Sequence, residues 1–185
     1  MKHKGLLLFC LLLSGFVGAE VKAAEIPELG SPSTGSGQPT SARFFAGATA
    51  DGGETYQSIF TPDETLDIVG EVQVEAGHVS SIGNLYVVAS DGFQFFIRLE
   101  DGAFVPWDGD VLTLLPTAAD IPLASVEELD IISNLVFRDV GITEAYVYFY
   151  LAYDTQQSPG EIYFSGEPLS LAVSEGQIDT FQLYQ

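Results

Sequence analysis

Between Leu66 and Glu75 the chain alternates almost without interruption. Leu66, Ile68, Gly70, Val72 and Val74 fall on one side, and Asp67, Glu71, Gln73 and Glu75 fall on the other, with Val69 the single intruder. A period of two with one wet side is the signature of a half-buried strand in an antiparallel sheet. A helix would run these carboxylates around every face. The same texture recurs at Asn84–Val111, where NLYVVAS, FQFFIRLE and AFVPWDGDV are separated by Asp91-Gly92 and Asp101-Gly102. Asp-Gly tolerates the positive φ that a tight primed turn requires, so the pattern predicts a meander of hairpins.

Other β-favouring runs lie on either side of this centre. Arg43–Thr49 and Tyr56–Thr61 precede it, while Val111–Leu115, Val126–Ile132 and Leu135–Phe137 follow. The longest is Glu144–Tyr153 (EAYVYFYLAY), with Ala145, Val147, Phe149 and Leu151 expected on the core side and Tyr146, Tyr148, Tyr150 and Tyr153 mostly on the other. Glu161–Ser165 and Leu169–Val173 close the set. Pro116–Ser125 carries two prolines and reads as an irregular crossover, and Glu127–Leu129 admits a helical turn as its alternative. About nine or ten short strands, with turns every eight to twelve residues, predict an all-β antiparallel sandwich, Ig-like or jelly-roll-like.

The ends of the chain read differently. Lys2, His3 and Lys4, the apolar run Leu6–Leu13 and the small residues up to Ala24 have the order of a secretory signal peptide, and the run is short for a membrane span. Residues 1–24 are therefore expected to be a leader, with export to the periplasm, cell surface or extracellular medium and no membrane span after cleavage. Residues 25–42 include GSPSTGSGQPTS and are expected to be a flexible linker. Residues 43–174 form the sandwich, and 175–185 a tail or edge strand.

Chemistry is narrowed mainly by what is missing. Cys10 lies in the leader, so the processed chain would hold no disulfide, thiolate metal site or cysteine nucleophile. Processing also removes Lys2, Lys4, Lys22 and Glu20, moving the net charge from −20 to about −22 and leaving Arg43, Arg98 and Arg138 as the only cations. Such a chain repels nucleic acid and anionic headgroups and suits basic partners, divalent cations or a salty medium. No Gly-x-Ser-x-Gly elbow occurs, and His78 is the sole histidine left, expected to be exposed or locally hydrogen-bonded in its loop.

Three constellations remain. Trp107, with Phe104, Tyr146, Tyr148 and Tyr150, would make an aromatic platform for sugar rings, although a lone Trp beside a turn also serves as a core cap. Glu100, Asp101, Asp108 and Asp110 offer hard oxygen ligands for calcium if their loops meet at one end of the sandwich, although turn chemistry explains the same residues. Acidic pairs for glycoside hydrolysis are present in such number that none stands out.

The runs Gly77-His78-Val79, Gly83–Ala89, Gly102-Ala103-Phe104 and Trp107-Asp108-Gly109, continued by Ala145–Leu151 and Gly166-Glu167-Pro168, carry a resemblance. Over about Phe60–Val173 the chain resembles an uncharacterised β-sandwich accessory module of exported proteobacterial proteins. The resemblance implies architecture and compartment, with no catalytic motif. The expected function is an exported non-catalytic module for extracellular recognition or surface structure, its partner a glycan or a cell-surface protein. A carbohydrate- or calcium-dependent binding module is the first alternative and a carboxylate-based hydrolase the second.

Overall fold

The computed structural model describes residues 23–176. The expected leader up to Lys22, and the expected tail from Gln177 on, lie outside the described residues. Twelve strands follow one another within them. They are β1 (Ser33–Thr34), β2 (Arg43–Thr49), β3 (Ile59–Phe60), β4 (Thr65–Gln73), β5 (Ile82–Ser90) and β6 (Phe95–Arg98), then β7 (Phe104–Trp107), β8 (Ala118–Pro122), β9 (Val126–Val136), β10 (Ala145–Thr155), β11 (Ile162–Phe164) and β12 (Leu169–Val173).

The chain folds as an all-β sandwich. Its smaller sheet has the order β2-β4-β9, antiparallel throughout. Its larger sheet is built on the antiparallel pair β5 and β10, in register from Tyr148 opposite Ser90 to Thr155 opposite Gly83. Each of these long strands has its second edge shared by two shorter ones. β12 and β11 divide the outer edge of β10, and β6 and β8 divide that of β5. β7 extends β6, β1 extends β11, and β3 runs parallel to β12.

The core is where the alternating faces meet. Leu66, Ile68 and Val72 of β4, with Phe44 and Ala46 of β2, pack against Leu85 and Val87 of β5 and Phe149 and Leu151 of β10. Gly70 lies in the middle of this inward row because the sheets come too close there for a side chain. A Cβ at Gly70 would stand 2.9 Å from Leu151 Cδ1 and 3.2 Å from Ile131 Cδ1.

Several sequence expectations need correction. The two Asp-Gly pairs do form hairpins, but over Asp91–Gln94 and Leu99–Ala103, longer than two-residue turns. In each loop glycine alone has positive φ, +87° at Gly92 and +86° at Gly102, and the aspartate instead accepts backbone N–H groups through its side chain. Val111–Leu115 is no strand. A 3-10 turn over Val111–Thr113 replaces it, started by Asp110, whose Oδ1 accepts the Leu112 N–H. The expected crossover contains a strand, β8, and the two short runs around Ser133-Asn134 are one strand, β9, whose pairing with β4 shifts between Leu66 and Ile68. Asn134 takes a φ of +55° there and gives its N–H to Asp67.

The segment expected as a linker is laid along the sandwich. Leu29 is buried and donates its N–H to Phe44 O, β1 pairs with β11, and the Thr40 hydroxyl and Ser41 N–H both donate to Glu75 Oε1. Short hydroxyl side chains need no apolar payload to be held when strand edges and carboxylates receive their hydrogen bonds.

Candidate functional site

Cross-strand register decides which side chains share the outward face of the larger sheet. Opposed residues in an antiparallel ladder point the same way. One row runs Trp107, Phe95, Ser90, Tyr148, Ser170 across β7, β6, β5, β10 and β12. The next runs Val105, Ile97, Val88, Tyr150, and further down come Tyr86 opposite Ala152 and Asn84 opposite Asp154. Tyr146, Tyr148, Tyr150 and Trp107 therefore lie on one face, turned away from the core. Trp107 and Tyr148 are three strand steps apart, about 14 Å.

Phe104 does not belong to this face. It opposes Arg98 on the other side of the sheet, and its ring meets Phe149 edge-on at 6.3 Å between centroids. Tyr153 also departs from the expected outward side. Its odd number places it with Phe149 and Leu151, fully buried, stacked on Tyr163 at 4.7 Å and hydrogen-bonded to His78 Nδ1 at 3.0 Å. His78 is thereby buried in the core rather than displayed.

Trp107 is held in place by the loop that follows it. Its indole N–H is shared by Asp110 O at 3.1 Å and Thr113 Oγ1 at 3.0 Å, while Phe95 meets its ring edge-on at 6.1 Å. The Thr113 hydroxyl lies 2.8 Å from Asp108 Oδ1, which also accepts the Asp110 N–H. These two donors hold the Asp108 carboxyl below its ordinary range, the Asp110 N–H foremost.

The four acids considered for calcium fall into two groups. Glu100 and Asp101 lie in the turn before β7, and Asp108 and Asp110 in the loop after it, so the four residues of β7 separate them by about 13 Å. The loops lie at opposite ends of one short strand and do not converge. Among the described residues, no three His, Cys, Asp or Glu side chains come together as a metal-holding group.

A cleft opens lower on the same outward face, with a volume of about 400 Å³. On the sheet side it is lined by Asn84, Tyr86 and Asp154, and farther along by Gln156 and Glu161. Its other wall is the 3-10 turn, with Val111 and Leu112 and then Leu114. Asp154 is oriented from two sides. Oδ1 accepts the Asn84 side-chain amide at 2.8 Å, and Oδ2 accepts the Tyr86 hydroxyl at 2.6 Å. Burial above all, and then the Asp154 carboxylate, push the Tyr86 phenol well above its usual range, so Tyr86 stays a neutral donor. Hydrogen bonds from Ser36 hold Glu161 below the usual carboxylate range, and one of them is the Ser36 N–H at 2.9 Å. Among the described residues, no cation lines the cleft. Arg43 pairs with Glu28, Arg98 with Ile131 O and Arg138 with Asp63 and Glu175.

Sequence reasoning missed Asn84, Tyr86, Asp154, Gln156 and Glu161 because each looks like ordinary strand or turn chemistry by itself. The missing signal was register: once β5 is paired with β10, its even-numbered residues join Tyr146, Tyr148 and Tyr150. The loop Asp108–Thr117 links the two parts of the face, holding the indole at one end and walling the cleft at the other. No family model, curated protein or solved structure matches this chain.

Proposed function

We propose that the protein is an exported, non-catalytic recognition module that binds carbohydrate on the outward face of its larger sheet. One observation carries the reading: register collects Trp107, Phe95, Tyr146, Tyr148 and Tyr150 on a face the core does not use, with Phe95 and Tyr146 each more than two-fifths exposed. Aromatic rings stack on the apolar faces of sugars, and the polar cleft beside them supplies acceptors and donors for hydroxyls. Export rests on the leader-like start of the sequence, and the resemblance to an exported accessory module agrees with it. His78 is buried and hydrogen-bonded to Tyr153 rather than displayed, which fits a non-catalytic role.

Trp107 is the only tryptophan, so its emission reports on this face alone. Titration with neutral hexasaccharides, cellohexaose and chitohexaose, is expected to change that emission saturably and to raise the melting temperature. Tyr148→Ala is expected to weaken binding at least tenfold, corresponding to about 1.4 kcal/mol, while leaving the fold intact. Unchanged emission and melting temperature with every oligosaccharide would end the reading.

A further inference from the structure

Within that reading, which this inference presupposes, we infer that the cleft under Leu112 is a subsite for a sugar that carries an amine. The argument starts from the polarity of the lining. Asn84, Tyr86, Asp154, Gln156 and Glu161 bring two carboxylates into one cleft of about 400 Å³, and among the described residues no lysine, arginine or histidine side chain lines it. Neutral sugar hydroxyls are served equally well by amides. Two carboxylates without a cation ask for a donor that carries charge, because charge-assisted hydrogen bonds are about twice as strong as neutral ones.

The two carboxylates contribute differently. Asp154 Oδ1 accepts both the side-chain amide and the backbone N–H of Asn84, whereas Oδ2 accepts the Tyr86 hydroxyl and keeps acceptor capacity toward the cleft. Glu161 is held by Ser36 first and then by Ile162 N–H and the Thr34 hydroxyl, and these donors keep it below the usual carboxylate range, so it brings negative charge to the cleft. The opposite wall is apolar and open, with Leu112 92% exposed and Val111 58% exposed. Buried alone, such a leucine would be unremarkable; standing in water beside a polar cleft, it offers the apolar contact a ring face needs. An anionic sugar would meet Asp154 and Glu161 with like charge and no compensating cation, in a chain whose net charge is −20.

Three hexamers of different charge separate the outcomes, each titrated into the whole protein at about pH 5.5, where amines are protonated and carboxylates ionised. They are glucosamine hexamer, its neutral N-acetyl counterpart and oligogalacturonate. The amine form is expected to bind about tenfold tighter than the neutral one at low salt, narrowing as salt rises, with no binding of the uronate. Glu161→Gln is expected to cut the ratio of amine to neutral affinity severalfold. Glu71→Gln with Glu128→Gln, on the opposite face of the sandwich, is expected to leave the preference intact. Equal affinity for the amine and neutral forms, or a preference that the opposite-face pair reduces as much as Glu161→Gln does, overturns the subsite and leaves the aromatic face standing. Failure of all three hexamers to bind overturns both.

Discussion

Tyr153 Oη lies 3.0 Å from His78 Nδ1 and accepts the Glu75 N–H at 3.4 Å, so one phenol joins β10 to the turn between β4 and β5. Burial pushes its pKa well above the usual range, and it remains a neutral hydroxyl. Replacing it by Phe keeps the stacking on Tyr163 but leaves a buried imidazole nitrogen unpaired. Tyr153→Phe is expected to cost about 1–3 kcal/mol in urea denaturation. The tyrosine was legible as a strand residue and illegible as core, because three outward tyrosines in the same run disguise its parity.

Glu75 sits beside this cluster and sets a pH dependence. Burial alone would raise its carboxyl pKa, but the Thr40 hydroxyl, the Ser41 N–H and the charge of His78, 3.8 Å away, together lower it. A folded-state pKa below the unfolded one contributes stability that is present above the ordinary carboxylate range and is lost as pH falls through the folded value. Asp63 and Glu161 have the same sign, through Arg138 and Ser36. Melting temperature is therefore expected to be level above about pH 5 and to fall below about pH 4, with a shallower fall in Glu75→Gln. At Trp107, Thr113→Val removes a hydroxyl that accepts the indole N–H, and a loss of about 1 kcal/mol with a shifted emission maximum is expected.

Two elements show how carboxylates and glycines do work that hydrophobic pattern cannot reveal. Among the described residues, no strand pairs the outer edge of β9, an eleven-residue strand. Glu128 and Asp130 on its outward side, together with its shifted register, keep that edge from pairing with another copy. Glu128→Thr with Asp130→Thr is expected to produce concentration-dependent self-association in sedimentation velocity, where the native protein stays at constant size. The segment 30–41 is fastened by backbone approach. A Cβ on Gly166 would stand 1.9 Å from Ser31 O, so Gly166→Ala is expected to cost about 1–3 kcal/mol and to expose this segment to protease. Its composition is that of a linker, and only the positions of β11 and Glu75 in space give it a place to lie. By contrast β2 and β12 were legible to the residue, since each is a short apolar run bounded by turn residues.

Seen whole, the sandwich has two unlike outer faces. The smaller sheet turns Asp67, Glu71, Glu128 and Asp130 outward, and the larger turns out Trp107, Phe95 and three tyrosines. The fold class and the outward side of Tyr146, Tyr148 and Tyr150 were readable from alternation, whereas Phe104 was expected on that face and lies on the core side. The cleft was not readable, because its walls come from β5, β10, the turn before β11 and the loop after β7, which only tertiary pairing brings together. Like charges on the acidic face disfavour contact between copies through that face, and the aromatic face is the surface on which we propose that the ligand binds. Mapping amide chemical shifts of the labelled protein during titration with chitohexaose tests this most directly. Perturbations confined to Phe95, Trp107, Tyr146–Tyr150 and the loop Asp108–Thr117 are the expected result. Perturbations centred on Asp67, Glu71, Glu128 and Asp130, or none at saturating sugar, would contradict it.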